Sequence, residues 1–170
     1  MADSNYKVEI PALSKQFPSD FDLSPQEMVD FNNEHARKFH EGDFAGIMEH
    51  SIIDDAVWEF YPNRIRVTGK EALLRYHEMN YNIVIAQVRE GWNSLEFYSE
   101  LSSNNTISHE MSCDFTRKDG TSFRGYFIAV IPFANGKMAG ERIYMDKEMG
   151  EWFEESLDPD FFKLPGVERF

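Results

Sequence analysis

Basic residues are scarce in this chain of 170: 17 Lys and Arg stand against 30 Asp and Glu, for a formal net charge of -13 and an isoelectric point near 4.7. So acidic a surface repels phosphate backbones and anionic lipid, which excludes nucleic acid and membrane surfaces as expected partners. Cysteine is nearly absent. The single Cys113 makes no internal disulfide, which suits a reducing compartment, and a cytoplasmic location is the expectation. Long apolar runs are missing as well. The longest, residues 126–134, contains Pro132 and is too short to cross a bilayer as a helix. The first twenty residues carry Asp3, Lys7, Glu9, Lys15 and Asp20 and no apolar core, so no secretory leader is read there.

Metal and nucleotide signatures are lacking too. There is no HExxH and no paired-cysteine spacing, and His35 and His40, five apart on a helix, diverge by roughly 140° and cannot share a metal. Gly136 and Gly140 are turn and strand glycines outside any strand-glycine-helix unit. Neither a metal nor any other cofactor is expected.

What is present is material for a core: 42% hydrophobic residues, including 15 Phe, in a length that fits one domain. Residues 1–23 read as an extended arm, 24–157 as the domain and 158–170 as an aromatic tail carrying Phe161, Phe162 and Phe170. Ser24-Pro25-Gln26-Glu27 is a capping box with proline at the first helical position, and the helix it starts should stop at Gly42. Met28, Phe31, Ala36 and Phe39 share one arc of that helix, and the polar Asn32 and His35 lie inside it. Residues 44–51 read as a short second helix and 56–61 as a strand closed by Pro62-Asn63. A third helix follows Gly69, burying Ala72, Leu73, Tyr76, Met79 and Ile83, with Asn80 in the arc and His77 at its edge. Strands over roughly 88–101, 106–117, 122–133 and 138–145 then alternate with turns such as Lys118-Asp119-Gly120 and Ala134-Asn135-Gly136, before a last helix over 147–157. Helices followed by hairpins make an α+β domain with a mostly antiparallel sheet.

Four stretches carry a family likeness: Glu41-Gly42-Asp43-Phe44, Asp54-Asp55-Ala56-Val57-Trp58-Glu59, Val67-Thr68-Gly69-Lys70-Glu71-Ala72-Leu73, and Asn135-Gly136-Lys137-Met138 leading to Glu141-Arg142-Ile143-Tyr144-Met145-Asp146. In order and spacing they resemble the NTF2-like superfamily, and within it the SnoaL-like polyketide cyclases, over about residues 25–160. The resemblance implies a cone in which a curved sheet wraps its N-terminal helices around one apolar cavity. It also implies homodimers formed through the sheet face. The catalytic sets of two cousins do not carry over. The ketosteroid isomerase positions fall on His35, Phe60 and the neighbourhood of Ile128 and Ala129, and those of limonene-type epoxide hydrolases fall on Met111, Cys113 and Ile143.

Strand parity taken from that resemblance points Trp58, Phe60, Met111, Cys113, Phe127, Ile143 and Met145 into the cavity as substrate-binding residues, with Asn32 from the first helix. Three titratable residues join them as candidate catalytic groups: Glu141, His35 and His109. A carboxylate facing tryptophan, methionine and phenylalanine is desolvated and becomes an acid or base near neutral pH. For each candidate a structural reading stays open. Glu141 is inverted by a bulge or pairs with Arg142 or a lysine at the sheet rim, His35 is a core histidine bonded to backbone or to Asn32, and His109 reaches solvent near a turn. On the convex face, Glu110, Ser112, Asp114, Arg124, Tyr126, Ile128, Val130, Arg142 and Tyr144 make a mixed patch fit for a homodimer contact. Trp152, Phe153, Phe161 and Phe162 are candidates for a lid.

The function these readings imply is a cofactor-independent acid-base isomerase, cyclase or dehydratase acting on a hydrophobic small molecule of secondary or xenobiotic metabolism. Two alternatives stay open: a non-catalytic binding or scaffold module with the same cavity, and a hydrolase that activates a water there.

Overall fold

Ser24 accepts a hydrogen bond from the Glu27 backbone while the Glu27 carboxylate reaches back to the Ser24 N–H, and helix α1 (Pro25–Glu41) starts from that reciprocal cap. The computed structural model describes residues 23–87, 94–103 and 105–170. Most of the arm expected over 1–23 and the first part of the strand expected over 88–101 lie outside the described residues. Helix α1 ends where Gly42 takes the left-handed conformation, φ 71°, that the turn requires. Asp43 then caps a single turn, α2 (Phe44–Gly46), which widens into a π-helical turn Ile47–Ser51.

Strand β1 (Ile52–Tyr61) begins four residues earlier than the sequence suggests, carrying Asp54 and Asp55 into the sheet. A short strand β2 (Ile65–Thr68), too brief to show an alternation in the sequence, turns back against it before α3 (Lys70–Gln87). Strands β3 (Glu96–Ser103), β4 (Thr106–Thr116), β5 (Ser122–Ala134) and β6 (Lys137–Met145) form the meander that the turn chemistry predicts. Helix α4 (Lys147–Ser156), a 3-10 turn Pro159–Lys163 and β7 (Val167–Arg169) complete the chain. The C-terminal segment, expected as a tail, thus adds a strand to β2.

The seven strands lie in the order β3-β4-β5-β6-β1-β2-β7, antiparallel except for the parallel pair β1–β6. Irregular register in β3 at Phe97–Ser99, in β1 at Ile52–Val57 and in β5 at Val130–Phe133 marks bulges that bend the strands. The result is a curved, unclosed sheet that holds α1 and α3 on its concave side, the α+β cone expected from the sequence. Trp58, Phe60, Phe115, Phe133, Met28 and Leu73 are fully enclosed in the core between them.

One close approach fixes the β1–β6 seam. Gly140 sits at φ 135°, and a Cβ there would lie 1.9 Å from the Val57 carbonyl oxygen, so only glycine lets β6 pass β1 at this point. On the convex face Tyr126, Ile128 and Tyr144 are exposed, as their parity predicts. Ser112 is the exception on that face. Tyr98, placed over it by the β3 bulge, shares a 2.7 Å hydrogen bond with its hydroxyl, Arg124 donates to the same oxygen at 2.9 Å, and Ser112 is buried beneath them.

Candidate functional site

Between the concave sheet, α1, α3 and α4 lies a cavity of about 270 Å³. Strand alternation supplies its floor: Trp58 and Phe60 from β1, Met111 from β4, Phe127 from β5, Ile143 and Met145 from β6. The stripe of α3 at positions 76, 77, 80 and 84 and the α1 residues Asn32 and His35 supply its roof. Helix α4 closes one end. Trp152 and Phe153 are buried there, Trp152 at 4.4 Å from the Phe115 ring and Phe153 stacked at 4.8 Å on Phe60. These two aromatics are an end wall packed into the core, not the lid suggested by their place near the C-terminus, and Phe161 is likewise buried in the core.

Glu141 sits opposite Trp58 in the parallel β1–β6 pairing, and the Trp58 indole N–H donates to Glu141 Oε2 at 3.0 Å. The residue keeps some accessible surface because it faces the cavity, while the surrounding side chains hold bulk water away. It makes no ion pair among the described residues, so the rim pairing with Arg142 or a lysine is not what the structure shows. Desolvation pushes its carboxyl up to about 7, against the smaller opposing effect of the Trp58 hydrogen bond. Near neutral pH it therefore exchanges a proton readily.

His35 projects from α1 toward α3, where its ring meets the His77 ring edge to face at 5.6 Å. Its Nδ1 is buried without a hydrogen-bond partner among the described residues, so it is not bonded to Asn32 through that atom. Burial, then the neighbouring His77 and Lys38, lower its pKa to about 3, and the imidazole stays neutral. His77, which helical spacing placed only at the edge of the buried arc, is 2% exposed and lies in the centre of the polar cluster. Its ring is 5.3 Å from both Trp58 and Tyr76. Burial lowers its pKa to about 4, so it too is neutral. Tyr76, read from the sequence as plain core, lines the cavity beside it, and burial together with the Glu141 charge raises its phenol well above the ordinary value. The sequence did hold a signal for this pairing: two histidines, one in the apolar stripe of each of two helices, meet when those stripes share a cavity.

The three candidate catalytic residues do not converge. His109 lines the cavity from β4, but its Nε2 meets the half-exposed Glu100 at 3.0 Å and Phe97 packs edge-on against its ring at 5.6 Å. By register it stands level with Ala129 and Ile143, two strands away from Glu141 and one inward step along β6, roughly 12 Å at ordinary sheet spacings. It marks the β3–β4 side of the cavity, apart from the cluster of Glu141, Trp58, His77, Tyr76 and His35.

Cys113 is the correction to the substrate-binding set. It is wholly buried and does not line the cavity; its Sγ lies 3.1 Å from Ser94 Oγ, which also accepts the Asp114 N–H. Ser94, just before β3, packs against it, and burial pushes its thiol up. Among the described residues no three His, Cys, Asp or Glu side chains group as a metal set, and no helix is long and apolar enough to cross a membrane.

Neither a family model nor a curated protein matches this sequence. Solved structures match its fold. An NTF2-like protein from Burkholderia xenovorans LB400 is 15% identical, with a TM-score of 0.58 over 81% of this chain and 100% of its own. An NTF2-like protein of unknown function from Cytophaga hutchinsonii ATCC 33406 is 19% identical, with a TM-score of 0.54 over 69% of this chain and 98% of its own. TerC, co-crystallised with polyporic acid, is 16% identical, with a TM-score of 0.57 over 75% of this chain and 98% of its own.

Proposed function

With the NTF2-like fold as the starting point, we propose that this chain is a cofactor-independent acid-base enzyme that moves a proton on a small, neutral, hydrophobic carbonyl compound. One observation carries the reading: a single carboxyl group, Glu141, poised near pH 7 inside an apolar cavity and held in place by the Trp58 indole. That fold hosts many functions, and the residues of the cavity, not the likeness, support this one. TerC's crystallisation with polyporic acid is in keeping with a small-molecule role for the architecture.

In this reading the Glu141 carboxylate takes a proton from the carbon next to the substrate carbonyl. The C–H electron pair moves into the enolate, whose oxygen accepts hydrogen bonds from the Tyr76 hydroxyl and the neutral His35 imidazole. Glu141 then returns the proton to another carbon, which makes an isomerisation, or gives it to a β-hydroxyl group that departs as water, which completes a dehydration. His35 acts as a neutral donor because its pKa near 3 rules out an imidazolium at working pH. The volume falls just below the roughly 300–1,000 Å³ usual for ligand pockets, which favours a one- or two-ring substrate over a larger polycycle.

A second copy of the chain seated on the convex face, over Tyr126, Ile128 and Tyr144, is the oligomeric state that exposed patch supports.

The test needs no known substrate. Small cyclic ketones and enones are incubated with the protein in D2O, and loss of the α-proton signal is followed by NMR. Exchange by the wild type that falls about a hundredfold or more in Glu141→Gln is the expected result. No exchange with any compound, or equal exchange by the Gln variant, overturns the enzyme reading and leaves a binding module.

A further inference from the structure

The His77 ring has its tautomer set by its own helix. Its Nδ1 lies 2.7 Å from the Leu73 carbonyl oxygen, one turn back on α3. A carbonyl oxygen only accepts, so Nδ1 carries the hydrogen and Nε2 carries a bare lone pair. Because the two ring nitrogens are on opposite sides of the imidazole, Nε2 points away from α3, toward the side where the ring meets Trp58 and His35 and lines the cavity. Among the described residues nothing else hydrogen-bonds this ring. The residue is 98% buried, yet Nε2 is not one of the fully enclosed unpartnered atoms, so this acceptor stays open to the cavity and a donor held there would meet it.

The rest of the lining narrows what that donor belongs to. The walls are aromatic and aliphatic, and no lysine or arginine is among the described residues that line them. An anionic ligand would find no countercharge and would face Glu141. A ligand that only accepts hydrogen bonds would leave Nε2 unmet.

We propose that His77 is a specificity-determining residue, whose Nε2 accepts a hydrogen bond from the hydroxyl of a neutral, ring-sized ligand of the phenol, enol or cyclic alcohol class. The inference deepens the acid-base reading of this site and rests on the same cavity being the ligand site. His77 holds and orients the hydroxyl while Glu141, whose carboxylate shares the Trp58 indole with that ring, works on the carbon skeleton. The His35 ring, which meets the His77 ring at 5.6 Å and also lines the cavity, stands beside it. The neutrality of His77, whose pKa lies near 4, keeps the lone pair available across the physiological range.

Two probes of one shape separate the effects: 2-naphthol, which donates a hydrogen bond, and 2-methoxynaphthalene, which does not. Titration calorimetry on the full chain is expected to show roughly tenfold tighter binding of 2-naphthol, as one buried hydrogen bond provides, and loss of that preference in His77→Phe with 2-methoxynaphthalene binding retained. Equal affinities in the wild type, no detectable 2-naphthol binding, or a preference that survives in His77→Phe each overturn the proposal. A measurement on the wild type alone guards against a variant that fails to fold. In ¹⁵N-detected imidazole spectra the His77 Nε2 resonance, in the unprotonated range, moves upfield with 2-naphthol and stays put with 2-methoxynaphthalene; an unmoved resonance overturns it. The two readings fail separately. Hydroxyl selectivity without α-proton exchange sinks catalysis alone, and Glu141-dependent exchange without His77-dependent selectivity sinks this inference alone.

Discussion

Trp58 donates its indole hydrogen to Glu141 at 3.0 Å from the position directly beside it in the parallel pairing of β1 with β6. The acid and the indole that donates to it are 83 residues apart in the chain, and the register between their strands sets the contact. That relationship governs how the acid titrates. Removing the donor in Trp58→Phe takes away the hydrogen bond that stabilises the carboxylate, while an aromatic ring still fills the space. The Glu141 carboxyl is expected to titrate above about 7 in this variant, read by ¹³C NMR of the labelled carboxyl. A downward move would mean that water entering beside the smaller ring outweighs the lost bond.

Glu141 and the two helix histidines act on stability in opposite directions. Glu141 rises from 4.5 to about 7 on folding, so the folded state keeps a proton the unfolded state releases, and stability falls as pH rises through that window. His35 falls from 6.5 to about 3 and His77 to about 4, so the unfolded state takes up protons the folded state refuses, and stability is lost as pH falls below 6.5. Between about pH 4.5 and 6.5 two protons oppose one and stability climbs with pH; from there to about pH 7 the two effects nearly cancel, and stability levels off. Urea unfolding across a pH series measures the climb. In Glu141→Gln the opposing proton is gone, so the climb between about pH 4.5 and 6.5 should be about twice as steep, leaving the variant more stable than the wild type by up to about 3 kcal/mol near pH 8. Equal slopes in the two proteins would show that Glu141 does not titrate there.

Gly140→Ala tests the seam between β1 and β6. A methyl group has no room beside the Val57 carbonyl, and φ 135° is closed to alanine, so the variant is expected to lose about 3 kcal/mol or more of stability. Gly136→Ala is the control: its φ is also positive, at 71°, but a Cβ there meets nothing within 4 Å, and the loss should be smaller. Thermal melts of both compare the two costs directly, and equal losses would mean that strain alone, without the carbonyl contact, sets them.

The convex patch makes a separate prediction. Ile128 lies between Tyr126 and Val130 on an exposed stretch of β5, and Ile128→Lys places a charge inside any contact made there. Sedimentation velocity is expected to show a dimer in the wild type and a monomer in the variant, with unchanged melting temperatures at matched low concentration. A monomeric wild type would remove the sheet face as a subunit contact.

The helix caps, the turn glycines, the four-strand meander and the inward parity of β1 and β4–β6 are legible in the residues because each is a local matter: a serine three residues before a glutamate, or a period of two along a strand. Trp58, Phe60, Met111, Phe127, Ile143 and Met145 face the cavity for that reason, and Glu141 with them. Local rules stop at contacts between elements. Strand β2 is four residues long and β7 three, and both exist only because a longer strand offers them an edge. Cys113 has the right parity for the cavity but packs against Ser94, just before β3, a contact that no periodicity along β4 encodes. The buried site shows the same division. By itself the sequence determined which residues share a face, setting Glu141 and His109 among alternating apolar positions and His35 in an apolar helical stripe; that this face is the cavity was implied by the family likeness. Only the tertiary structure decided that His35 meets His77 and not His109, because helix packing across a curved sheet, and not spacing along the chain, sets which polar groups share one desolvated space.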